Sequence, residues 1–284
     1  MSTFIESALS YARKSGFNLI RIAEIDNGVA SFGECNRGNP CQNIYSVAKA
    51  FTMTAIGIIC DRNLLTVDEK VTDLFADFLP DGMDKRWYNV TVDHLLTHTA
   101  GLHDGQLDID CIDINTFDTD DFLDMTLRTE LLYEPGDGNT YSDAAYYLLS
   151  RIVTLKTGEK LDDFLWRELF RPCAFREAAW SKCPLGYPMG ATGLYIYAED
   201  MAKLGQIYLD GGVYNGRRIL SEDWVNLSLM RPYEFTPRGF NTYGKGGMRG
   251  QMLLVIPEKR RVVAWTACDD GDTTELRRLA AESE

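Results

Sequence analysis

The chain has no run of lysine or arginine longer than Lys259-Arg260-Arg261 in its 284 residues, and its formal net charge is -13. Nucleic acid and anionic membrane surfaces both repel such a chain, so neither is expected as a partner. Long apolar runs are missing too. The most apolar stretch, "AFTMTAIGII", is too short to span a bilayer and is soon followed by Asp61. The first residues, "MSTFIESALSYARKSGF", show no basic segment leading into a long apolar one. They are not read as an export signal, and the expected compartment is the cytoplasm. Seven cysteines, scattered and odd in number, make no disulfide framework. Cys35 and Cys41 are close in sequence but are expected to stay reduced in that compartment. Internal repeats and low-complexity segments are absent as well.

Histidine is scarce. His94, His98 and His103 are all there is. The i,i+4 spacing of His94 and His98 can set two imidazoles on one helix face, as a metal site needs. No glutamate completes a His-Glu-x-x-His arrangement, however. No metal and no cofactor is expected.

What is present is an ordinary globular composition, 45% hydrophobic and 25% charged. The length suits one large domain or two closely packed lobes. The N-terminal stretch suits an amphipathic helix with Phe4, Ile5, Ala8, Leu9 and Ala12 on one face. "NLIRIAEIDNGVASFGE" gives two short strand-like runs around Asn27-Gly28, a hairpin signal. Helices are expected over 46–62, over "TVDHLLTHTAGL" up to Gly101, over "TDDFLDMTLRT", and over "AAYYLLSRIVTLKTG" closed by Gly158. "KLDDFLWRELFRPCA" and "AEDMAKLGQIYLDGG" add two more. "KGGMRGQMLLVIPEKRRVVAWTAC" reads as two strands turning at Pro257-Glu258, and a terminal helix follows. Strands at both ends and helices between them give an α+β class. The expected architecture is a mostly antiparallel sheet flanked by helices, with an inserted all-helical lobe. Residues 1–45 and 186–284 would build the sheet lobe and 46–185 the helical lobe, with the active site between them. The acidic, irregular stretch 104–121 fits either a loop over that site or a solvated connection.

Three stretches carry candidate chemistry. "IYSVAKAFTM" sets Ser46 and Lys49 three residues apart at the start of a helix, where both project from one face. A serine hydroxyl is a weak nucleophile until a base takes its proton, and lysine serves as that base only when burial or cations lower its pKa. A helix N-cap serine followed by an ordinary lysine fits the same letters. "NTYSDAAY" places Tyr141 just before a helix, where a core or interface role is equally natural. "YGKGGMRG" puts Lys245 before two glycines and a strand, and glycines permit close backbone approach.

The order and spacing of the three together resemble the penicillin-recognising serine hydrolases: class C β-lactamases, DD-peptidases and related esterases and amide hydrolases. "LLTHTAGL", "YEPGDGNTYSDAAYYLLSRIVTLKTGE", "ATGLYIYAEDMAKLGQIYLDGG" and "QMLLVIPEKRRVV" resemble further segments of that family, so the likeness runs from about Gly28 to Cys268. The resemblance implies that Ser46 attacks a carbonyl and forms an acyl-enzyme. Lys49 and Tyr141 would share the acid and base work. Lys245 would support Tyr141 and attract a substrate carboxylate or carbonyl. The backbone N–H groups of Ser46 and Met248, beside Gly247, would form the oxyanion hole. His98 would be structural.

Two departures stand out. Asp143 occupies a position where the family has asparagine, and an ionised aspartate cannot donate a hydrogen bond. A carboxylate beside Lys49 would keep that lysine charged and leave Tyr141 as principal base. Lys-Gly-Gly replaces Lys-Thr-Gly, removing a hydroxyl that would meet a β-lactam carboxylate. The expected activity is therefore a serine hydrolase on a small ester, amide or β-lactam, with ester or amide favoured. The alternative is a catalytically silent binding or sensor protein on the same fold.

Overall fold

The computed structural model describes residues 2–283. Met1 and Glu284, the outermost residues of the expected sheet lobe, lie outside them. Helix α1 spans Thr3–Ser15. The Ser2 hydroxyl accepts the Ile5 N–H at 3.1 Å, and Gly16 ends the helix in the left-handed region at φ 77°. Phe4, Ile5, Ala8, Leu9 and Ala12 are its buried face. Strands β1 (Leu19–Asp26) and β2 (Val29–Glu34) follow as a hairpin. Its turn holds Asn27 at φ 48° and Gly28 at φ 79°, the two positive values a two-residue turn matched to strand twist requires.

The middle of the chain is mostly helical. The short strand β3 (Cys41–Asn43) leads into α2 (Ala48–Asp61), α3 (Val71–Leu74), α4 (Val92–Leu96), α5 (Phe122–Leu127), α6 (Asp143–Thr157) and α7 (Leu161–Leu165). Helix α2 is buried from Ala48 to Ile59, so it is a core helix rather than an amphipathic surface one. Helix α6 packs against it and is buried from Asp143 to Val153. Strands β4 (Ala179–Trp180) and β5 (Leu194–Tyr197) join β3 in a small antiparallel sheet of order β3-β5-β4.

The remainder returns to the main sheet. Helix α8 (Ala198–Leu209), the ribbon β6 (Val213–Tyr214) and β7 (Arg217–Arg218), and α9 (Glu222–Met230) precede four strands. These are β8 (Thr236–Gly239), β9 (Thr242–Gly247), β10 (Gln251–Ile256) and β11 (Arg261–Ala267), and α10 (Thr274–Glu282) closes the described chain. The main sheet is antiparallel throughout, in the order β2-β1-β11-β10-β9-β8. Strands from the two ends of the sequence thus meet at its centre, with Ile22 opposite Trp265.

The period of two along β10 and β11 explains the layers. Leu253, Val255, Val262 and Ala264 face the large core shared with α2, α6 and α8. Met252, Leu254, Val263 and Trp265 face a second core under α1 and α10. Both faces of the sheet are therefore covered, and both strands read as continuous apolar runs.

Three details differ from expectation. The helix expected to reach Gly101 stops at Leu96, and the chain turns through His98 at φ 58°. Lys245 lies inside strand β9 rather than in a loop before a strand. The strands β3, β4, β5 and β8 and the helix α9 have no counterpart in the sequence reading. Strands of two to four residues show no measurable alternation, and β9, "TYGKGG", is rich in a residue with poor strand propensity.

Candidate active site

The nucleophile candidate sits on a single tight turn, Tyr45–Val47, directly before α2. Tyr45 is held at φ 48°, a conformation rare for a large side chain, and its N–H donates to Asn43 Oδ1 at 2.9 Å. The turn aims Ser46 across the head of α2, one helical turn from Lys49. Lys49 is wholly buried. Its ammonium donates to Asp143 Oδ1 at 2.6 Å and to the Ala191 carbonyl at 3.2 Å, and reaches Ser46 Oγ at 3.5 Å, the outer limit of a hydrogen bond. Burial alone would push this ammonium down. The carboxylate of Asp143, followed by Tyr141 and Glu234, outweighs burial and holds it well above its ordinary value. These contacts favour the ammonium form of the lysine.

Tyr141 and Asp143 flank the start of α6 and reach the same place. The Tyr141 ring lies between two cations, with its centroid 4.5 Å from Lys49 Nζ and 4.8 Å from Lys245 Nζ. Lys245 donates to its hydroxyl at 3.3 Å. The Tyr141 side chain remains open to solvent, as a group that must meet substrate needs to be. Lys245 is buried on β9 and forms an ion pair with Glu234. Burial pushes the Glu234 carboxyl up, but Lys245 and the hydrogen bond from His98 bring it down to about 2.

Gly247, at the end of β9, passes against the nucleophile turn. A Cβ there would stand 2.5 Å from the Ile44 carbonyl oxygen, so no other residue fits without moving backbone. Met248 follows at the rim, with its side chain exposed. The structure thus brings together Ser46, Lys49, Tyr141, Asp143 and Lys245, and sets Gly247 and Met248 beside them.

The acidic stretch also arrives here. The Gln106 carbonyl accepts the Ala144 N–H at 3.1 Å, and Asp110 accepts from Thr192 Oγ1 at 2.5 Å. One carboxylate oxygen from each of Asp108, Asp110 and Asp143 lies within 4.8 Å of the others. Burial, and to a lesser degree the charges of Asp143 and Asp108, push the Asp110 carboxyl up. Of the two readings of 104–121, the loop over the site is the one seen. The sequence reading missed Glu234, Asp108 and Asp110. Nothing in "RPYEFTPRG" marks Glu234 as buried, and the two loop aspartates look like any others in an acidic chain.

The histidines do not converge. His94 Nδ1 accepts the Thr91 N–H in a capping box, His98 bonds Glu234, and His103 bonds the Glu130 carbonyl. Cys35 and Cys41 are free thiols.

An antiparallel sheet covered on both faces, with a Ser-x-x-Lys helix entering beside β9, is the fold of β-lactamases and penicillin-binding proteins. A penicillin-binding protein homologue from Caulobacter crescentus superposes with a TM-score of 0.77 at 17% identity, covering 98% of this chain and 95% of that one. The crystal structure of a family VIII carboxylesterase does so equally well, with a TM-score of 0.77 at 17% identity, covering 98% of this chain and 96% of that one. A family model described as Beta-lactamase matches residues 33–283, and the chain belongs to that family. Penicillin-binding protein 4* of Bacillus subtilis is 29% identical over 278 residues, covering 84% of this chain and 58% of that protein. Esterase EstB of Burkholderia gladioli is 30% identical over 146 residues, covering 48% of this chain and 37% of that protein. The chain spans less than two thirds of the length of these curated relatives. No helix among the described residues is long and apolar enough to cross a membrane.

Proposed function

We propose that this protein is a serine hydrolase that cleaves small esters or amides through an acyl-enzyme on Ser46. The observation that carries the reading is the convergence of Ser46, Lys49, Tyr141 and Lys245, with Lys49 fixed as an ammonium by Asp143. A permanently charged Lys49 cannot take a proton, so the base is Tyr141. In this reading the Tyr141 phenolate removes the Ser46 proton as Oγ bonds to the acyl carbon. The two flanking ammonium groups stabilise the phenolate. The N–H groups of Ser46 and Met248 hold the oxyanion. Tyr141 then returns the proton to the leaving alcohol or amine, and water enters with Tyr141 again as base to release the acid.

Charge supports uncharged substrates over β-lactams. Each catalytic lysine already has its own carboxylate, Asp143 for Lys49 and Glu234 for Lys245. Asp108 and Asp110 add further negative charge nearby. A β-lactam carboxylate would meet no uncompensated lysine and no Lys-Thr-Gly hydroxyl. A relative named as an esterase and a structural neighbour named as a carboxylesterase agree with this preference.

The test is direct. Incubation with a fluorophosphonate and mass spectrometry should show one adduct, on Ser46. Wild type should turn over p-nitrophenyl esters faster than nitrocefin, and Ser46→Ala should lose at least a thousandfold. No adduct and no turnover across esters, β-lactams and D-amino-acid amides would leave the silent binding protein as the better reading.

A further inference from the structure

Among the described residues, Glu234 is the one wholly buried carboxylate that touches two different parts of the site. It lies between α9 and β8, on the sheet side, at 1% exposure. One oxygen pairs with Lys245 of β9, and the other is 3.2 Å from His98 Nε2. His98 belongs to the helical side, just past α4. Its other nitrogen, Nδ1, accepts the Ser142 N–H at 3.2 Å. A backbone N–H can only donate, so Nδ1 is bare and the ring proton is on Nε2, pointing at Glu234. Burial lowers the pKa of this imidazole, in keeping with a neutral ring. The ring also lies against Tyr141 at a tilt of 33°, with centroids 4.5 Å apart. Ser142 stands between Tyr141 and Asp143, so the residue that His98 grips is the joint between two catalytic side chains.

We infer that Glu234 and His98 form a positioning clamp that fixes Lys245 of the sheet against the Tyr141–Asp143 segment of the helical side. Lys245 is held from below by Glu234 and meets the Tyr141 hydroxyl above. The same carboxylate, through His98, holds the backbone that carries Tyr141. The two lobes are thereby set to each other at the point where the phenol must meet the ammonium. Neither residue of the clamp touches substrate. The groups facing Glu234 are Lys245 of β9, His98 after α4, Lys49 of α2, Tyr146 of α6 and Arg238 of β8. Tyr141 faces Lys49, Lys245, His98, Arg238 and Tyr146.

The catalytic consequence rests on the serine-hydrolase reading, and the experiment separates the two. In Glu234→Gln the kcat for a p-nitrophenyl ester should fall about 10- to 100-fold, with KM nearly unchanged, because a catalytic group moves by a fraction of an ångström. Removing the carboxylate also leaves Lys245 uncompensated. That changes the charge facing the reacting groups, so the acid limb of kcat/KM should move. Glu234→Asp should restore the limb and only part of the rate. His98→Asn keeps an acceptor near Ser142 and loses the bond to Glu234, whereas His98→Gln does the reverse. Both should fall short of wild type in kcat. A purely structural role would lower thermal stability while leaving the pH profile in place, and that result overturns the clamp. Nitrogen-15 NMR of the three histidines supplies a readout that needs no turnover. His98 should show the Nε2–H tautomer in wild type, and its protonation midpoint should fall in Glu234→Gln. An Nδ1–H tautomer, or an unmoved midpoint, overturns the clamp even if the enzyme is active. Normal NMR behaviour with no Ser46 adduct overturns the hydrolase reading and leaves the clamp standing as architecture.

Discussion

Asp143→Asn tests the charge assignment at the centre of the site. In wild type the Lys49 ammonium and the Asp143 carboxylate are 2.6 Å apart in a buried place. Two unit charges at that 2.6 Å distance attract by about 6 kcal/mol at an effective dielectric of about 20, which is an upper bound on what the variant removes. The Asn oxygen still accepts from Lys49, and the Ala191 carbonyl at 3.2 Å is untouched. An opposite-charge neighbour shifts a pKa by about 1–3 units, and a buried pair at 2.6 Å belongs at the strong end, so a fall of about 3 units, or ~4 kcal/mol, is expected for Lys49. That fall brings a lysine otherwise charged throughout into the alkaline end of the assay range. The assay is kcat/KM for a p-nitrophenyl ester from pH 6 to about 10.5, variant against wild type. If Lys49 acts only as a cation beside Tyr141, the variant should acquire an alkaline fall that wild type lacks. Overpacking or unfolding would lower the whole curve instead. A rate in the variant that rises as Lys49 deprotonates would make Lys49 the base and refute the assignment. So would two superimposable profiles.

Three other outcomes follow from named contacts. Gly247→Ala would press a methyl to 2.5 Å from the Ile44 carbonyl. It should cost about a hundredfold in kcat through displacement of β9 from the nucleophile turn, with Ser46 labelling slowed in step. Glu234 falls from an ordinary 4.5 to about 2 on folding, which at 1.36 kcal/mol per unit is about 3 kcal/mol. A depressed carboxyl contributes above its unfolded value and loses that contribution as pH drops through about 2. Resistance to urea should therefore weaken between about pH 5 and pH 2 in wild type, and Glu234→Gln should be less stable at pH 7 with a flatter acid slope. For the thiols, Cys111 and Cys268 are exposed whereas Cys173 and Cys183 are buried. An aromatic disulfide reagent should label the first pair in native protein and the second only in denaturant. Burial also pushes the Cys60 thiol up to about 12, so it should react slowly.

Much of this fold is legible because local signals and tertiary demands agree. Ser2 and Gly16 bracket α1, Asn27-Gly28 turns the first hairpin, and Gly158 closes α6. Each residue does locally what the packing also requires. The site was legible for a different reason. Ser46, Tyr141 and Lys245 each sit within a few residues of an element boundary, so their spacing survives as a short motif. What could not be read was burial set by distant segments. Glu234 precedes a four-residue edge strand and has no periodic context, yet it is as enclosed as any core leucine. The stop of α4 at Leu96 was hidden too. His98 adopts a positive φ because its ring must reach both Glu234 and Ser142, and neither partner is near it in sequence.

The Ser-x-x-Lys pair shows where such reading ends. The three-residue spacing fixes that Ser46 and Lys49 meet, because helix geometry makes them neighbours. It says nothing about whether the lysine holds a proton. That is decided by residue 143, which lies 94 positions away and reaches Lys49 only after α6 packs on α2. An amide there would leave a buried ammonium with weak support, free to lose its proton and act as base. A carboxylate there gives it a full countercharge, which is why the proposed mechanism gives proton transfer to Tyr141. The same lysine in the same motif therefore has opposite chemistry in the two contexts. The second lysine repeats the arrangement, since Lys245 is compensated by Glu234. With both cations paired, the site gains no net positive charge from Lys49 and Lys245, and the two loop aspartates tilt it further. On the proposed reading, this charge balance disfavours substrates that carry a carboxylate. Raising ionic strength should accordingly improve kcat/KM for an anionic ester and leave a neutral one unchanged.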